Sequence, residues 1–313
     1  MSSQVKNASS DATMKAISST LLLFILPLLL HAVTPGAGSV IESDTPSEES
    51  LKPLRPVFAA YTFEIGSARL ADTYLTPLHY NGWHTAIDYM RQQAAPFTPE
   101  RWAMRLNAHL DLGHTENPAR NATMWNALLT FDWALLHRWH SPISAAPSLT
   151  LAAGPAVTLQ GGCLYLSRNG NNPVAARGSL TLGATGYAAY PLSIGRLPVT
   201  LIYQPSLPLT GVFFSPDYGE LYYEIYLGNR SGLAHAAWPG NYRRFNHLLT
   251  ADIHLGATNI RIGYRGDYFS SRVSGITSRS FTHTLVIGLS GEWLSYNPRR
   301  PRSASAPVIS PIF

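Results

Sequence analysis

Two histidines, His84 and His109, stand on the polar side of stretches whose other side is apolar, and each has a carboxylate close by, Asp88 in one stretch and Asp111 in the other. Glu64 holds the equivalent position in an earlier stretch. An imidazole oriented by a carboxylate can act as a general base, and two histidines with one carboxylate suffice for zinc. Glu64, His84, His109 and Asp111 are therefore the candidates for catalysis, as a proton relay, a metal site or the base of a hydrolase working at a rim. The plainer reading is structural. Asp88, Arg105, Arg261, Arg265 and Asp267 recur on the same polar sides, and such a set fills a narrow polar interior with ion pairs and hydrogen bonds.

The stretches that carry these residues alternate. From Arg101 to Gly113, Trp102, Met104, Leu106, Ala108, Leu110 and Leu112 share one face, while Arg101, Arg105, Asn107, His109 and Asp111 share the other. A period of two is a strand and not a helix. The apolar set is long, aromatic at its ends and repeated along the chain. This predicts an all-β fold, an antiparallel transmembrane outer-membrane β-barrel of about ten strands with lipid outside and a polar lumen within. The strands fall at 55–66, 80–92, 101–113, 123–137, 148–166, 175–190, 197–204, 245–255, 259–268 and 281–293. Gly161-Gly162 suggests a bulge or bend in the fifth. The alternative of twelve strands takes part of Tyr222–Leu227 as an extra hairpin. A soluble secreted β-sandwich binding module is the alternative architecture, and it fits the aromatic ends and the 13% of charged residues less well.

Connections alternate in length, as barrel topology demands. Those at 67–79, 114–122 and 205–244 are long; those around 96–99, 191–196 and 256–258 are short. The short turn between the second and third strands predicts the cross-strand pairs His84 with His109, Ala86 with Asn107 and Asp88 with Arg105, which gathers Glu64, His84 and His109 near the outer rim. The connection 205–244 mixes aromatics with carboxylates and is the best ligand candidate. It holds Phe213, Phe214, Asp217, Tyr218, Glu220, Tyr223 and Glu224, joined by Asp72 and Tyr74 from the first loop. It either plugs or caps the lumen, or binds a sugar, peptide or lipid headgroup.

The ends read differently. Residues 1–38 form a signal-peptide region: Lys15, the apolar run Leu21–Leu30, then Gly36, Ala37 and Gly38, with Met14 as a second candidate start. Residues 39–54 read as a flexible periplasmic lead-in, 55–296 as the barrel and 297–313 as a disordered tail. Export by the Sec pathway to the outer membrane follows, with the barrel-assembly machinery and membrane lipid as partners and a monomer as the expected state. One cysteine excludes an intrachain disulfide. Scarce lysine and no basic stripe argue against nucleic acid. No nucleophile elbow, zinc-binding histidine pair on a helix, phosphate loop or dinucleotide fingerprint occurs, so no cofactor and no metal is expected and an enzyme is the lesser reading.

Three segments resemble a known family: Leu70-Ala71-Asp72-Thr73-Tyr74-Leu75-Thr76-Pro77-Leu78-His79-Tyr80; Arg168-Asn169-Gly170-Asn171-Asn172-Pro173; and Gly211-Val212-Phe213-Phe214-Ser215-Pro216-Asp217-Tyr218-Gly219-Glu220 with Tyr223-Glu224-Ile225. In this order they are similar to an uncharacterised family of exported Bacteroidetes proteins, domain-of-unknown-function family 3316. The resemblance implies a Gram-negative envelope protein and carries over no catalytic residue. The expected role is envelope structure, or binding or passage of a small solute of unknown identity at the cell surface, gated by 205–244. The alternative is an outer-leaflet enzyme acting on lipid or peptide with the rim histidines and carboxylates.

Overall fold

The computed structural model describes residues 53–140, 148–170, 172–229, 231–256, 258–294 and 307–313. The signal region 1–38, most of the lead-in and residues 297–306 of the tail lie outside them. Eleven strands and one short helix follow in order: β1 (Val57–Asp72), β2 (Thr76–Ala94), β3 (Trp102–Glu116), β4 (Thr123–His140), β5 (Thr150–Leu166), β6 (Val174–Ile194), β7 (Leu197–Phe214), α1 (Tyr222–Tyr226), β8 (Ala234–Ala237), β9 (Tyr242–His254), β10 (Asn259–Val273) and β11 (Ile276–Trp293). Each strand pairs antiparallel with its neighbours, β1 pairs with β11, and β7 pairs with both β6 and β9. Ten strands thus close into a barrel, and β8 is only a short flap on the end of β7. Closure leaves the ten-stranded ring without a free edge strand.

Alternation decides which side chain faces where. Outward residues such as Phe63, Ile65, Ile87, Leu129, Phe131, Leu159, Ile262, Leu285 and Ile287 are exposed, and inward neighbours such as Glu64, Asp88, Thr130 and Arg261 are buried. Aromatic rows bound this apolar exterior. At one height Trp83, His114, Trp125 and Tyr165 are cross-strand neighbours, with the Trp83 and His114 rings stacked 5.8 Å apart. At the other, Trp102 lies 4.8 Å from His137, itself 4.6 Å from Trp139. From Trp102 to His114 a strand rising about 3.3 Å per residue and tilted about 40° climbs roughly 30 Å.

We call the end where β1 begins and β11 finishes the near end, and the opposite one the far end. The far-end connections are shorter than the sequence suggests, because the strands continue into them. β1 runs to Asp72 and β2 starts at Thr76, where 67–79 was expected to be a loop; β7 continues to Phe214. Outward apolar residues stop at Ile65, but inward ones continue through Ala68 and Leu70. The loss of the outward pattern marks the edge of the apolar band and not the end of the strand. Ser274 and Gly275, at φ 50° and 75°, close β10 onto β11 in two residues.

Three further expectations are corrected. The twelve-strand alternative fails because 222–226 form α1, whose first turn is closed by Leu221 N donating to Glu224 Oε2 at 3.0 Å. Gly161-Gly162 is no bulge. The β5 register runs through it, and Gly162 instead permits close approach of β4, since a Cβ there would lie 2.1 Å from the Ala127 carbonyl oxygen. Register shifts fall instead at Leu182/Gly183 on β6 and at Ala71/Asp72 on β1. Finally, the expected disordered tail is ordered at 307–313: Val308 bridges to Leu54 and Ile312 is buried inside the barrel.

Candidate functional site

Inward side chains fill the lumen in three layers. The near layer is apolar: Phe58, Met90, Leu136, Tyr187 and Ile202 from five strands, with Ile312 from the ordered end segment. The far layer is also apolar, with Leu70, Tyr80, Met124 and Leu164 on one side and Phe213, Tyr242 and Phe269 on the other. Between them lies a belt of charge.

Arg265 is the hub of the belt. From β10 it reaches across to β1 and β2, with Nε 2.8 Å from Glu64 Oε1 and Nη2 2.9 Å from Asp88 Oδ1. Thr284 Oγ1 donates to Glu64 Oε2 at 2.8 Å, and Asn107 Nδ2 to Asp88 Oδ1 at 3.1 Å. His109 Nδ1 lies 3.0 Å from Asp88 Oδ1 and 4.0 Å from Glu64 Oε1. Arg244 binds Asp267 through both Nε and Nη2, and Asn246 adds a third donor to that carboxylate. Deeper toward the near end, Arg261 and Asp252 form a two-bond pair with both contacts at 2.7 Å. Burying such charges is tolerable only because every carboxylate here has a cation or several donors.

Of the expected lumen network, Asp88, Arg261, Arg265 and Asp267 sit in this belt, but the expected Asp88–Arg105 pair does not form. Arg105 turns to β6, donating to Thr185 Oγ1 and the Gly186 carbonyl. Nor do Glu64, His84 and His109 gather. Asp88, not His84, is opposite His109, and His84 lies opposite Gly113. His84 Nε2 instead faces Asp111 Oδ1 at 3.5 Å, with Asn126 Nδ2 donating to the same oxygen at 2.6 Å. The cause is the turn. It spans 95–101 and is centred two residues later than expected, so partners slip by four positions. An even slip preserves the face of every residue while changing its partner.

Among the described residues, the donors that do converge on a metal-sized space are Glu64, Asp88 and His109. Arg265 already holds the same two carboxylate oxygens. A divalent ion would have to displace its guanidinium, so this donor set fits an internal ion pair better than a metal centre.

Over the far layer, the three resembling segments lock into one lid. Tyr74, whose N–H donates to Asp72 Oδ1, also donates its hydroxyl to the Glu220 carbonyl at 2.7 Å and accepts from Asn172 Nδ2. Its ring meets Tyr222 edge-on at 5.7 Å, and the Tyr222 hydroxyl accepts from Ala176 N. Burial pushes the Tyr222 phenol up to about 12 and raises that of Tyr74. Asp72 accepts from Ser278 Oγ at 2.7 Å and faces Arg177 at 3.6 Å. Phe213 packs below and Phe214 stacks over Tyr222. Glu220 closes its own loop on Asp217 N and Asn229 Nδ2. Asp217, Tyr218, Tyr223 and Glu224 face outward from the lid.

Gln92, Arg138 and Tyr187, which hold the end segment at the near mouth, escaped sequence reasoning. Their inward parity was available, but only a β4 extended past His137 would have shown it for Arg138.

Among known proteins, the family described as "Protein of unknown function (DUF3316)" matches residues 21–300. No curated protein matches the chain. Similar solved structures include the outer membrane protease OmpT of Escherichia coli, at 7% identity and TM-score 0.44, covering 76% of this chain and 97% of that one. The transport unit of the E. coli autotransporter AIDA-I follows at 11% identity and TM-score 0.33, covering 82% and 93%. The translocator domain of NalP from Neisseria meningitidis shows 10% identity and TM-score 0.30, covering 89% and 97%. These likenesses are distant, and the fold stands on the strand pairing itself.

Proposed function

We propose that this chain, which belongs to the DUF3316 family of proteins of unknown function, is an integral outer-membrane protein that rests as a closed barrel and presents its interlocked far-end lid at the cell surface. One observation carries this reading: a ring of exposed apolar side chains between two aromatic rows surrounds an interior filled with buried ion pairs. That is a soluble protein's pattern reversed, and the height of roughly 30 Å matches the hydrocarbon thickness of a bilayer. The apolar run Leu21–Leu30 supplies an export signal of the Sec type. Pairing of β1 with β11 closes the ring within one chain, which supports a monomer.

Of the roles open to such a barrel, surface recognition is favoured over passage. A solute would have to cross two apolar layers and the Arg265 belt between them. The lid's outer face offers exposed Tyr218, Tyr223, Tyr226 and Trp238 with carboxylates among them, a surface suited to stacking and hydrogen bonding with a sugar or a peptide. Catalysis on an outer-leaflet lipid finds less support, because His84 and His109 both point into the filled lumen.

Gel mobility of the outer-membrane fraction, boiled against unboiled, tests the membrane assignment; recording in planar bilayers tests the closed state. The reading expects a heat-dependent shift and no conductance steps. Recovery in the periplasmic fraction without a shift would overturn it, and steady conductance would overturn closure alone.

A further inference from the structure

A peptide enters the near mouth and leaves beside it a cavity of about 250 Å³ lined by Phe58, Ile202, Ile312 and Phe313. Residues 307–313, Pro307-Val308-Ile309-Ser310-Pro311-Ile312-Phe313, first run beside Leu54, whose N–H donates to the Pro307 carbonyl at 2.8 Å and whose carbonyl accepts from Ile309 N at 2.9 Å. Barrel side chains then take over. Gln92 Nε2 donates to the Pro311 carbonyl at 2.8 Å. The Tyr187 hydroxyl lies 3.2 Å from that same oxygen and 3.0 Å from the Ile312 carbonyl. Arg138 Nη1 donates to the main-chain oxygens of Ser310 and, at 3.0 Å, Phe313. Two side chains of the segment are read as well. Ile312, 2% exposed, enters the apolar layer beside Phe58 and Ile202, and Ser310 Oγ donates to Glu292 Oε1 at 2.6 Å.

Gln92, Arg138 and Tyr187 come from three strands and are all buried. An apolar layer needs no such residues for its own packing, and burying donors without acceptors is unfavourable. Here they converge on the carbonyls of one segment, and Arg138 Nη2 also donates to the Pro99 carbonyl of the turn beside it. Gln92 Oε1 and Arg138 Nε have no partner among the described residues, so the site retains unused polar capacity. Reading carbonyls with fixed donors while one pocket takes a side chain is how proteins hold peptide segments.

We propose that the near mouth is a binding site for a peptide with uncharged side chains that turns at a Ser-Pro step and carries an aliphatic residue after the proline, as residues 307–313 do when they occupy it in cis, with Ile312 N and Phe313 N donating back to Ser310 Oγ at 3.1 and 3.3 Å. A proline offers a carbonyl and no N–H, which suits a mouth that reaches Pro311 only with donors. Tethering holds the cis segment at an effective concentration near millimolar, so free peptide competes poorly until the segment is displaced.

The test uses the full chain, checked as folded by its heat-dependent gel shift, and a fluorescent synthetic peptide of the sequence of 307–313. The parent binds little. Ile312→Asp, which cannot seat its segment in the apolar layer, binds the peptide saturably and binds a scrambled peptide at least tenfold more weakly. Adding Arg138→Ala to Ile312→Asp weakens binding about tenfold or more. A folded Ile312→Asp chain that exposes its segment to protease yet binds no peptide overturns the proposal, as does equal binding of the scrambled sequence. Should Ile312→Asp fail to fold, a site-specific protease sequence placed between 300 and 305 of the parent chain lets the tether be cut after folding. Exchange of the cut segment for isotope-labelled peptide supports the proposal. A segment that is lost and never replaced, or that never exchanges, overturns it.

Discussion

Arg265 is the residue on which the interior depends. It is the shared cation of Glu64 and Asp88, both buried on other strands. Removing it strands two carboxylates in a medium that cannot solvate them. Arg265→Ala is expected to destabilise the barrel by about 3–5 kcal/mol, read as a lower urea midpoint for loss of the unboiled gel band. The Arg261–Asp252 pair makes the complementary case, being 1% exposed on both sides, with the Arg261 guanidinium 5.2 Å above the Phe58 ring. Arg261→Met or Asp252→Leu alone leaves an unpaired charge and costs about 3–5 kcal/mol. The double substitution recovers most of that, because a buried pair gains little over apolar packing of the same shape. A double variant as unstable as the two singles summed would show that the pair acts through other partners.

At the scale of elements, the lid is set by contacts between loops distant in sequence, with Tyr74 and Tyr222 at the junction. Burial raises both phenols above their ordinary pKa of about 10. A raised folded value means that the neutral phenol is favoured in the closed lid. That contribution is full below about 10 and is lost as pH rises through about 12. The tyrosinate absorbance of the parent minus that of Tyr222→Phe should therefore titrate near 12; a difference centred near 10 would put Tyr222 in water. Gly66 tests the seam between β1 and β11. A Cβ there would fall 1.8 Å from the His283 carbonyl oxygen, in backbone that has no freedom to yield. Gly66→Val should abolish the folded gel band, whereas Gly161→Val, with nothing within 4 Å, should retain it.

For the whole molecule, the stacking of apolar, ionic and apolar layers means that no single closure holds the lumen shut. Phe214 and Ala234 are cross-strand partners, so residues 215–233 can be replaced by a two-residue turn without disturbing the ring. This lidless chain should keep its heat-dependent shift and remain silent in planar bilayers, since the Arg265 belt and the near layer stay in place. Conductance steps in it would identify the lid as the only barrier and restore passage as the function.

The sequence by itself determined the barrel, its ten strands and the face of nearly every residue on them. Those follow from a period of two and from the contrast between apolar side chains outside and charged ones within, both of which are local. Parity therefore placed Glu64, Asp88, His109, Arg261 and Arg265 on the inner side before any pairing was known. What it could not determine was partnership. A turn centred two residues late left every face of β2 and β3 correct and exchanged the partners between them, giving His109 to Asp88 and His84 to Asp111, while Arg105 reaches Thr185 on β6. Strand ends were misread where the outward pattern stopped, because the band's edge is set by the surroundings while the hydrogen-bond ladder runs on. The lid and the plugged mouth belong to the tertiary structure alone. They join Tyr74 to Glu220 and Gln92 to Pro311, and contacts between residues so far apart along the chain leave no periodic trace in it.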